Sequence, residues 1–335
     1  MAKRRIGVIM GGASGERSVS LRSGAAVATA LAERGHEVVK IVLSPEKDPA
    51  AAIRRARIDV AFLALHGRFG EDGCIQGLCE LYGIPYTGSS VLSSALAMDK
   101  VKSKEMFRLH NVPTPPYYTA HREQLANIAE LHGSFGFPVI VKPRGEGSSL
   151  GVRKASHLRE LESALDEAFA YDDVALVERF ILGKEVHVGI LDGRVLGAVE
   201  VAPRDGFYDF EAKYTPGKTE YFLPARLSPT RLHGVLNLAK RAAEALGCTG
   251  ACRVDLIVTE GQNEYVLEVN TLPGMTETSL LPKIAEAAGY DFGALCEAIL
   301  DGARLHAAGS VSRPTSSAAK DNVEFAPLPM KRAAG

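Results

Sequence analysis

Four polar residues near the C-terminal end have the types and spacing for metal-assisted phosphoryl chemistry. Arg253 and Asp255 in ACRVDLIV, and Glu268 and Asn270 in YVLEVN, stand two apart within apolar runs. Alternation along a strand turns residues two apart to the same face. GQN, just after Glu260, suits a hairpin turn that would pair the two runs. Asp255, Glu268 and Asn270 then supply three hard oxygen ligands with Arg253 beside them. That set can hold magnesium against a nucleotide triphosphate. The second run continues through the Pro-Gly turn of TLPGMTETS into hydroxyl and carboxylate residues.

Other stretches carry matching chemistry. In FPVIVKPRGEGSSLGV a buried strand delivers Lys142 to a Gly/Ser loop. Glycine lets the backbone approach a phosphate closely, and serine and lysine neutralise it, so phosphate binding is favoured over a plain hairpin turn. GGASGE fits neither the dinucleotide fingerprint nor a Walker motif. It serves equally as a tight turn capped by Glu16 and Ser18 or as a carboxylate site for an amino group. His66 opens the Gly-rich loop HGRFGEDG, where structural and catalytic roles are evenly matched. Lys102 and Lys104 in MDKVKSKEMFRLH read as a solvated helix face, while Lys100 stays unassigned. GFYDFEAKYTPGKTEYFLP is too polar for core and has the makings of a covering loop over residues 206–220, with Lys213 and Tyr214 in its middle.

These residues need a scaffold. From Arg4 the order is strand, glycine turn, helix (Val19 to Arg34), strand (HEVVKIVLS), helix (Ile53 to Ala56) and strand (DVAFLALHG). Near-continuous apolar strands alternating with helices indicate an open, mostly parallel α/β sheet. Such sheets bind ligands at the carboxyl ends of their strands, where the Glu16 and His66 loops fall. Ile84 to Gly88 reads as a short strand, Met98 to His110 as a helix, and VPTPPYY as a proline-rich domain connection. Helices follow at Ser156 to Ala170 and Ser228 to Leu246, with a hairpin at Asp192-Gly193 between them. Two helices, Ser279 to Gly289 and Phe292 to Leu305, close the globular part, and the Ala-, Ser- and Pro-rich remainder reads as a disordered tail.

A chain of 335 residues has room for two or three domains. Its 39 basic and 40 acidic side chains give a net charge of −1, which argues against nucleic-acid or membrane-surface partners. No apolar run approaches membrane-spanning length, and MAKRRIGVIMGG is too short in its apolar part for an export signal. The cysteines (Cys74, Cys79, Cys248, Cys252, Cys296) lack zinc spacing and are odd in number, so reduced thiols in a cytoplasmic protein are expected.

The constellation resembles the D-alanine–D-alanine ligases of the ATP-grasp superfamily. The likeness runs from about Arg4 to Leu305 through GGASGERSVSLRSG, ALHGRFGEDGCIQGLCEL, PYTGS, MDK, VIVKPRGEGSSLGV, YDFEAKY, RVD and LEVNTLPGMTETSLLP. It implies a Rossmann-like α/β domain (1–97), a two-lobed ATP-grasp fold (98–184 and 185–307) and a tail (308–335). By the same likeness Lys100 and Lys142 hold the α- and β-phosphates, with Ser149 in the same loop. Glu178, Arg179, Phe180 and Ile181 lie along the adenine, Glu185 is near the ribose, and Lys213 reaches the γ-phosphate. Asp255, Glu268 and Asn270 bind two Mg²⁺ (or Mn²⁺). Glu16 anchors the ammonium of the first D-alanine beside His66, and Ser148 and Tyr214 link to Glu16. Arg253 and the Gly274 N–H stabilise an oxyanion, and Ser279 and Leu280 hold the second carboxylate. The implied activity is ATP-dependent synthesis of D-alanyl-D-alanine, a peptidoglycan precursor, by a cytoplasmic homodimer. The chain departs from the family pattern at Phe210, where tyrosine is usual, and at Arg179 and Phe180, often lysine and tryptophan. Those changes keep charge or aromatic character. A D-alanine–D-lactate ligase is a rival that Tyr214 opposes; a nucleotide-binding regulator without catalysis is opposed by the intact Lys142, Arg253, Asp255, Glu268 and Asn270.

Overall fold

The computed structural model describes residues 4–203, 217–261 and 263–307. Among them the first sheet is parallel, in the order β2-β1-β3, from β1 (Arg5–Gly11), β2 (Glu37–Leu43) and β3 (Val60–Leu63). It alternates with α1 (Arg17–Glu33) and α2 (Pro49–Ala56), and α3 (Cys74–Tyr82) follows. Ile6, Val8 and Met10 pack with α1 residues Val27 and Leu31 on one side, and Ile9 packs with Ile53 and Ile75 on the other. Both faces of β1 are covered, which is why its sequence is continuously apolar. In place of the short strand expected at Ile84 to Gly88 there are isolated bridges at Tyr86, parallel to Ala61 and antiparallel to Arg304.

Helices α4 (Val91–Met98) and α5 (Lys100–Leu109) replace the single helix expected from Met98. Asp99 ends the first and caps the second, its carboxylate accepting from Val101 N at 3.1 Å and Lys102 N at 3.0 Å. The second sheet is antiparallel, in the order β4-β7-β5-β6: β4 (Tyr117–His121), β5 (Val139–Pro143), β6 (Arg153–Ala155) and β7 (Val174–Arg179). A short helix, α6 (Ile128–His132), precedes β5, and α7 (Leu158–Ala168) buries Leu161 and Leu165 against Val139, Val141 and Val177.

The third sheet, β10-β9-β8-β11-β12, is also antiparallel. It contains β8 (Lys184–Leu191), β9 (Arg194–Pro203), β10 (Thr219–Phe222), β11 (Ala251–Val258) and β12 (Glu264–Asn270). Asp192 and Gly193, both at positive φ (45° and 76°), make the tight β8–β9 turn. The strand β10 corrects the expectation of loop throughout GFYDFEAKYTPGKTEYFLP. Its composition is polar, but it pairs with β9 at the sheet edge, with Thr219 buried and Tyr221 against the Val199 and Ile284 cluster. One face of the sheet receives α8 (Pro229–Ala245) through Val235, Leu238 and Ala239. The helix α9 (Leu280–Ala287) puts Leu280 and Ile284 against Val199 and Val201, and α10 (Phe292–Asp301) joins the α1 side of the first sheet. Residues Lys213, Tyr214 and Phe210, most of the proposed covering loop, and the tail from 308 lie outside the described residues. No described helix is long and apolar enough to cross a membrane.

Candidate active site

The β11–β12 hairpin forms as its sequence requires. Arg253 stands opposite Asn270 and Asp255 opposite Glu268. Arg253 grips Asp255 through two bonds, Nε to Oδ1 at 2.7 Å and Nη2 to Oδ2 at 2.8 Å, and Asn270 Nδ2 donates to Oδ2 at 3.1 Å. From β8, His187 joins Asp255 Oδ1 at 2.6 Å through Nδ1 and Glu185 Oε1 at 3.0 Å through Nε2. Burial opposes ionisation of Asp255, but Arg253 and His187 overcome it and hold the carboxyl well below the ordinary range. Among the described residues no three of His, Cys, Asp and Glu form a metal-holding group. A cation here would therefore need the Asn270 amide oxygen beside the two carboxylates, a hard-oxygen set of the kind magnesium or manganese takes.

Two cavities meet at this hairpin. The larger, about 350 Å³, is lined by Lys100, Lys142, Ser149, Glu178, Arg179, Phe180, Ile181, Glu185, Asp255 and Glu268. The structure thus brings together residues from α5, β5, the Gly/Ser loop, β7 and its following turn, β8 and the hairpin. Lys100 Nζ donates to the Glu146 carbonyl and stands 3.8 Å from Glu268 Oε2. Lys142 Nζ pairs with Glu178 Oε2 at 2.5 Å. Arg179 donates to the Phe135 carbonyl, and Lys154 Nζ lies 4.1 Å from the centre of the Phe180 ring.

The smaller cavity, about 90 Å³, is lined by Glu16, His66, Ser148, Arg253, Glu268, Asn270, Gly274, Ser279 and Leu280. Ser148 Oγ donates to Glu16 Oε1. The Gly/Ser loop reaches Glu16 because Ser148 and Ser149 sit in the left-handed region (φ 47° and 59°) and because residue 147 is glycine. A Cβ there would lie 2.5 Å from Glu16 Oε2. Ser279 precedes α9, and its Oγ accepts from Thr276 N at 3.0 Å. Ser23 Oγ accepts from Met275 N at 3.1 Å and lies 3.3 Å from His66 Nε2, tying the Pro-Gly turn to α1. Burial lowers His66 to about 4, so its ring is neutral near pH 7.

Several residues of the site escape sequence reading. Lys104, read as solvated, is 1 % exposed and paired with Glu178 Oε1; its spacing of four from Lys100 puts both on one face of α5. His187 follows Glu185 by two on β8, a spacing that could have marked it. Glu71, in the His66 loop, accepts from Gly67 N at 2.6 Å, and burial together with the neighbouring Glu16 raises its carboxyl pKa.

Residues 46–89 match the family model described as D-ala D-ala ligase N-terminus, and residues 106–301 match the one described as D-ala D-ala ligase C-terminus. The D-alanine–D-alanine ligase of Geobacter sulfurreducens is 53% identical over 308 residues, covering 91% of this chain and 96% of its own. That of Anaeromyxobacter dehalogenans is 50% identical over 304 residues, covering 91% and 98%. Among solved structures, the Bacillus anthracis D-alanine–D-alanine ligase complexed with ATP superposes with a TM-score of 0.79 at 36% identity, covering 89% of this chain and 97% of that one. The VanG D-Ala:D-Ser ligase from Enterococcus faecalis gives 0.78 at 29% identity, covering 89% and 99%.

Proposed function

We infer the reaction from one premise: the chain belongs to the D-alanine–D-alanine ligase family. It joins two D-alanines, converts ATP to ADP and phosphate, and supplies D-alanyl-D-alanine for peptidoglycan. The observation that carries the site assignment is that Glu268 lines both cavities, so a nucleotide in one adjoins a substrate in the other.

In this reading the polyphosphate lies along Lys100, Lys142 and the Ser149 loop, the adenine along Glu178 to Ile181, and the ribose near Glu185. Lys213 and Tyr214, outside the described residues, are assigned to the γ-phosphate and to Glu16 by the family resemblance alone. Glu16, positioned by Ser148, holds the first D-alanine's ammonium and directs its carboxylate toward the cleft. A carboxylate is a poor electrophile, so its oxygen first attacks the γ-phosphorus, ADP leaves, and an acyl phosphate forms. The second D-alanine has its carboxylate at Ser279 and the Leu280 N–H, where a helix begins. Its amine, after losing a proton, attacks the acyl carbon; phosphate then leaves with the carboxylate's oxygen. Arg253 and the Gly274 N–H offset the oxyanion of the tetrahedral intermediate. Neutral His66 orients the neighbouring groups without repelling an ammonium. Two Mg²⁺ (or Mn²⁺) ions bound by Asp255, Glu268 and Asn270 would neutralise charge on the transferring phosphoryl group.

The boundaries 1–97, 98–184 and 185–307 are supported by the sheets, since each range holds one of the three described sheets with at most a single residue (Lys184) across a boundary. A cytoplasmic homodimer is part of the proposal, in keeping with the need for ATP. The test is ADP release over a panel of D-amino acids and D-lactate with Mg²⁺. Turnover that requires D-alanine supports the reading; nucleotide binding without such turnover points to a regulator, and faster turnover with D-lactate or D-serine as second substrate reassigns the specificity.

A further inference from the structure

We propose that Lys104 is a positioning residue of the nucleotide cleft, acting through Glu178 so that Lys142 meets the polyphosphate with its positive charge unspent. The inference rests on the reading that this cleft takes ATP. Glu178 is 2 % exposed and divides its carboxylate between two lysines, Oε1 to Lys104 and Oε2 to Lys142 at 2.5 Å. The two lysines differ in what else they face. Lys142 lines the cavity, whereas Lys104 does not; it sits behind Glu178, donates to Thr114 Oγ1, and lies 5.7 Å from the centre of the Tyr117 ring.

Charge counting gives Lys104 its role. Lys142 and Glu178 alone would form a neutral buried pair, with little attraction left for an anion. Adding Lys104 makes the trio two cations on one anion, a net positive charge at the wall of the cleft. Lys142 also feels Glu185 and Glu268; Lys100 stands 3.8 Å from Glu268, which leaves Lys104 as the second cation on Glu178. Burial disfavours the charged form of Lys104, and Glu178 opposes that effect. At low local dielectric, one charge placed behind an ion pair still acts strongly on a ligand in front of it.

A purely structural role, stapling α5 to the second sheet, makes a different prediction. Structural damage would weaken every ligand of the cleft, whereas loss of charge weakens only anionic ones. The experiment compares ADP and adenosine binding at fixed Mg²⁺ in the full chain. Binding of both to the unaltered protein tests the nucleotide reading by itself; absence of both refutes that reading. Lys104→Gln, which keeps a donor to Glu178, should weaken ADP by about tenfold or more and leave adenosine within about twofold. Lys104→Arg should stay near the unaltered protein, and the double variant K104Q/E178Q, which restores the net charge, should recover most of the ADP affinity. Equal losses for ADP and adenosine, or no loss for ADP, would overturn the proposal. Should Lys104→Gln fail to fold, Glu178→Gln compared with K104Q/E178Q carries the test: with Glu178 neutral in both, the ADP-to-adenosine affinity ratio should be at least about threefold higher where Lys104 is kept, and equal ratios overturn the account.

Discussion

The larger cavity is walled by lysine–carboxylate pairs, whereas in the smaller one short hydroxyl side chains and backbone groups fix charged side chains such as Glu16 in place. Around the first, Lys100, Lys104 and Lys142 are matched by Glu178 and Glu268. Around the second, Gly147 gives Glu16 room, Ser148 bonds to it, and Ser23 holds both Met275 N and the His66 ring. The contrast follows from the ligands each would receive. A polyphosphate is met by point-charge lysines paired with carboxylates, whereas two small amino acids must be set at fixed distances and angles. The hairpin belongs to both, with Asp255 toward the first, Arg253 and Asn270 toward the second, and Glu268 lining the two.

The strongest way to separate the two regions is Arg253→Ala. Loss of an oxyanion donor should lower dipeptide formation by about a hundred- to a thousandfold while ADP affinity changes little. Equal loss of ADP affinity, measured by titration, would place Arg253 on the nucleotide side. The converse variant, Lys142→Met, should weaken ADP by about tenfold to a hundredfold, the worth of a charge-assisted bond, with a much smaller change in D-alanine KM. If D-alanine KM moves as far as ADP affinity, the division between the cavities fails.

His66 offers a sharper test of how dry the smaller region is. Its folded pKa of about 4 lies below the ordinary 6.5, so the unfolded chain takes up a proton first as pH falls. Its contribution is present above pH 6.5 and lost as pH falls toward 4, a change of up to about 3 kcal/mol. Urea midpoints at pH 7.5 and 4.5 should therefore differ less in His66→Gln than in the unaltered protein; equal differences would mean the ring is solvated. Smaller still is Gly274→Ala. An added Cβ would lie 2.7 Å from Ser279 Oγ, a side-chain end that can swing away. D-alanine KM should rise about fivefold, the worth of one hydrogen bond, with ADP affinity unchanged. Removing Ala308 to Gly335 should leave turnover nearly unchanged, since the family match ends at residue 301.

The hairpin was largely legible in the residues themselves, whereas the smaller region's Ser148, Gly274, Ser279 and Leu280 came only through the family resemblance. A period of two fixes which strand residues share a face, so Arg253, Asp255, Glu268 and Asn270 could be placed together before any fold was known. Glycine and serine loops likewise mark their own places at strand ends. Lys104 was not legible, because a charge on an amphipathic helix faces solvent unless a partner such as Glu178, from a strand 74 residues away, takes it inside. His187 was hidden for the same reason, since its partner Asp255 lies on a neighbouring strand far along the chain. The break at Asp99 has a sequence signal, since aspartate is a favoured N-cap, but one cap residue between two helical runs does not by itself separate them; the bonds from Val101 N and Lys102 N do.

That the two cavities serve one reaction can be tested by following an oxygen atom. D-alanine carrying ¹⁸O in its carboxylate is turned over with unlabelled ATP, and the released phosphate is analysed by mass. An acyl phosphate formed between the cavities requires one ¹⁸O in the phosphate for every dipeptide made. Unlabelled phosphate alongside dipeptide would contradict the account.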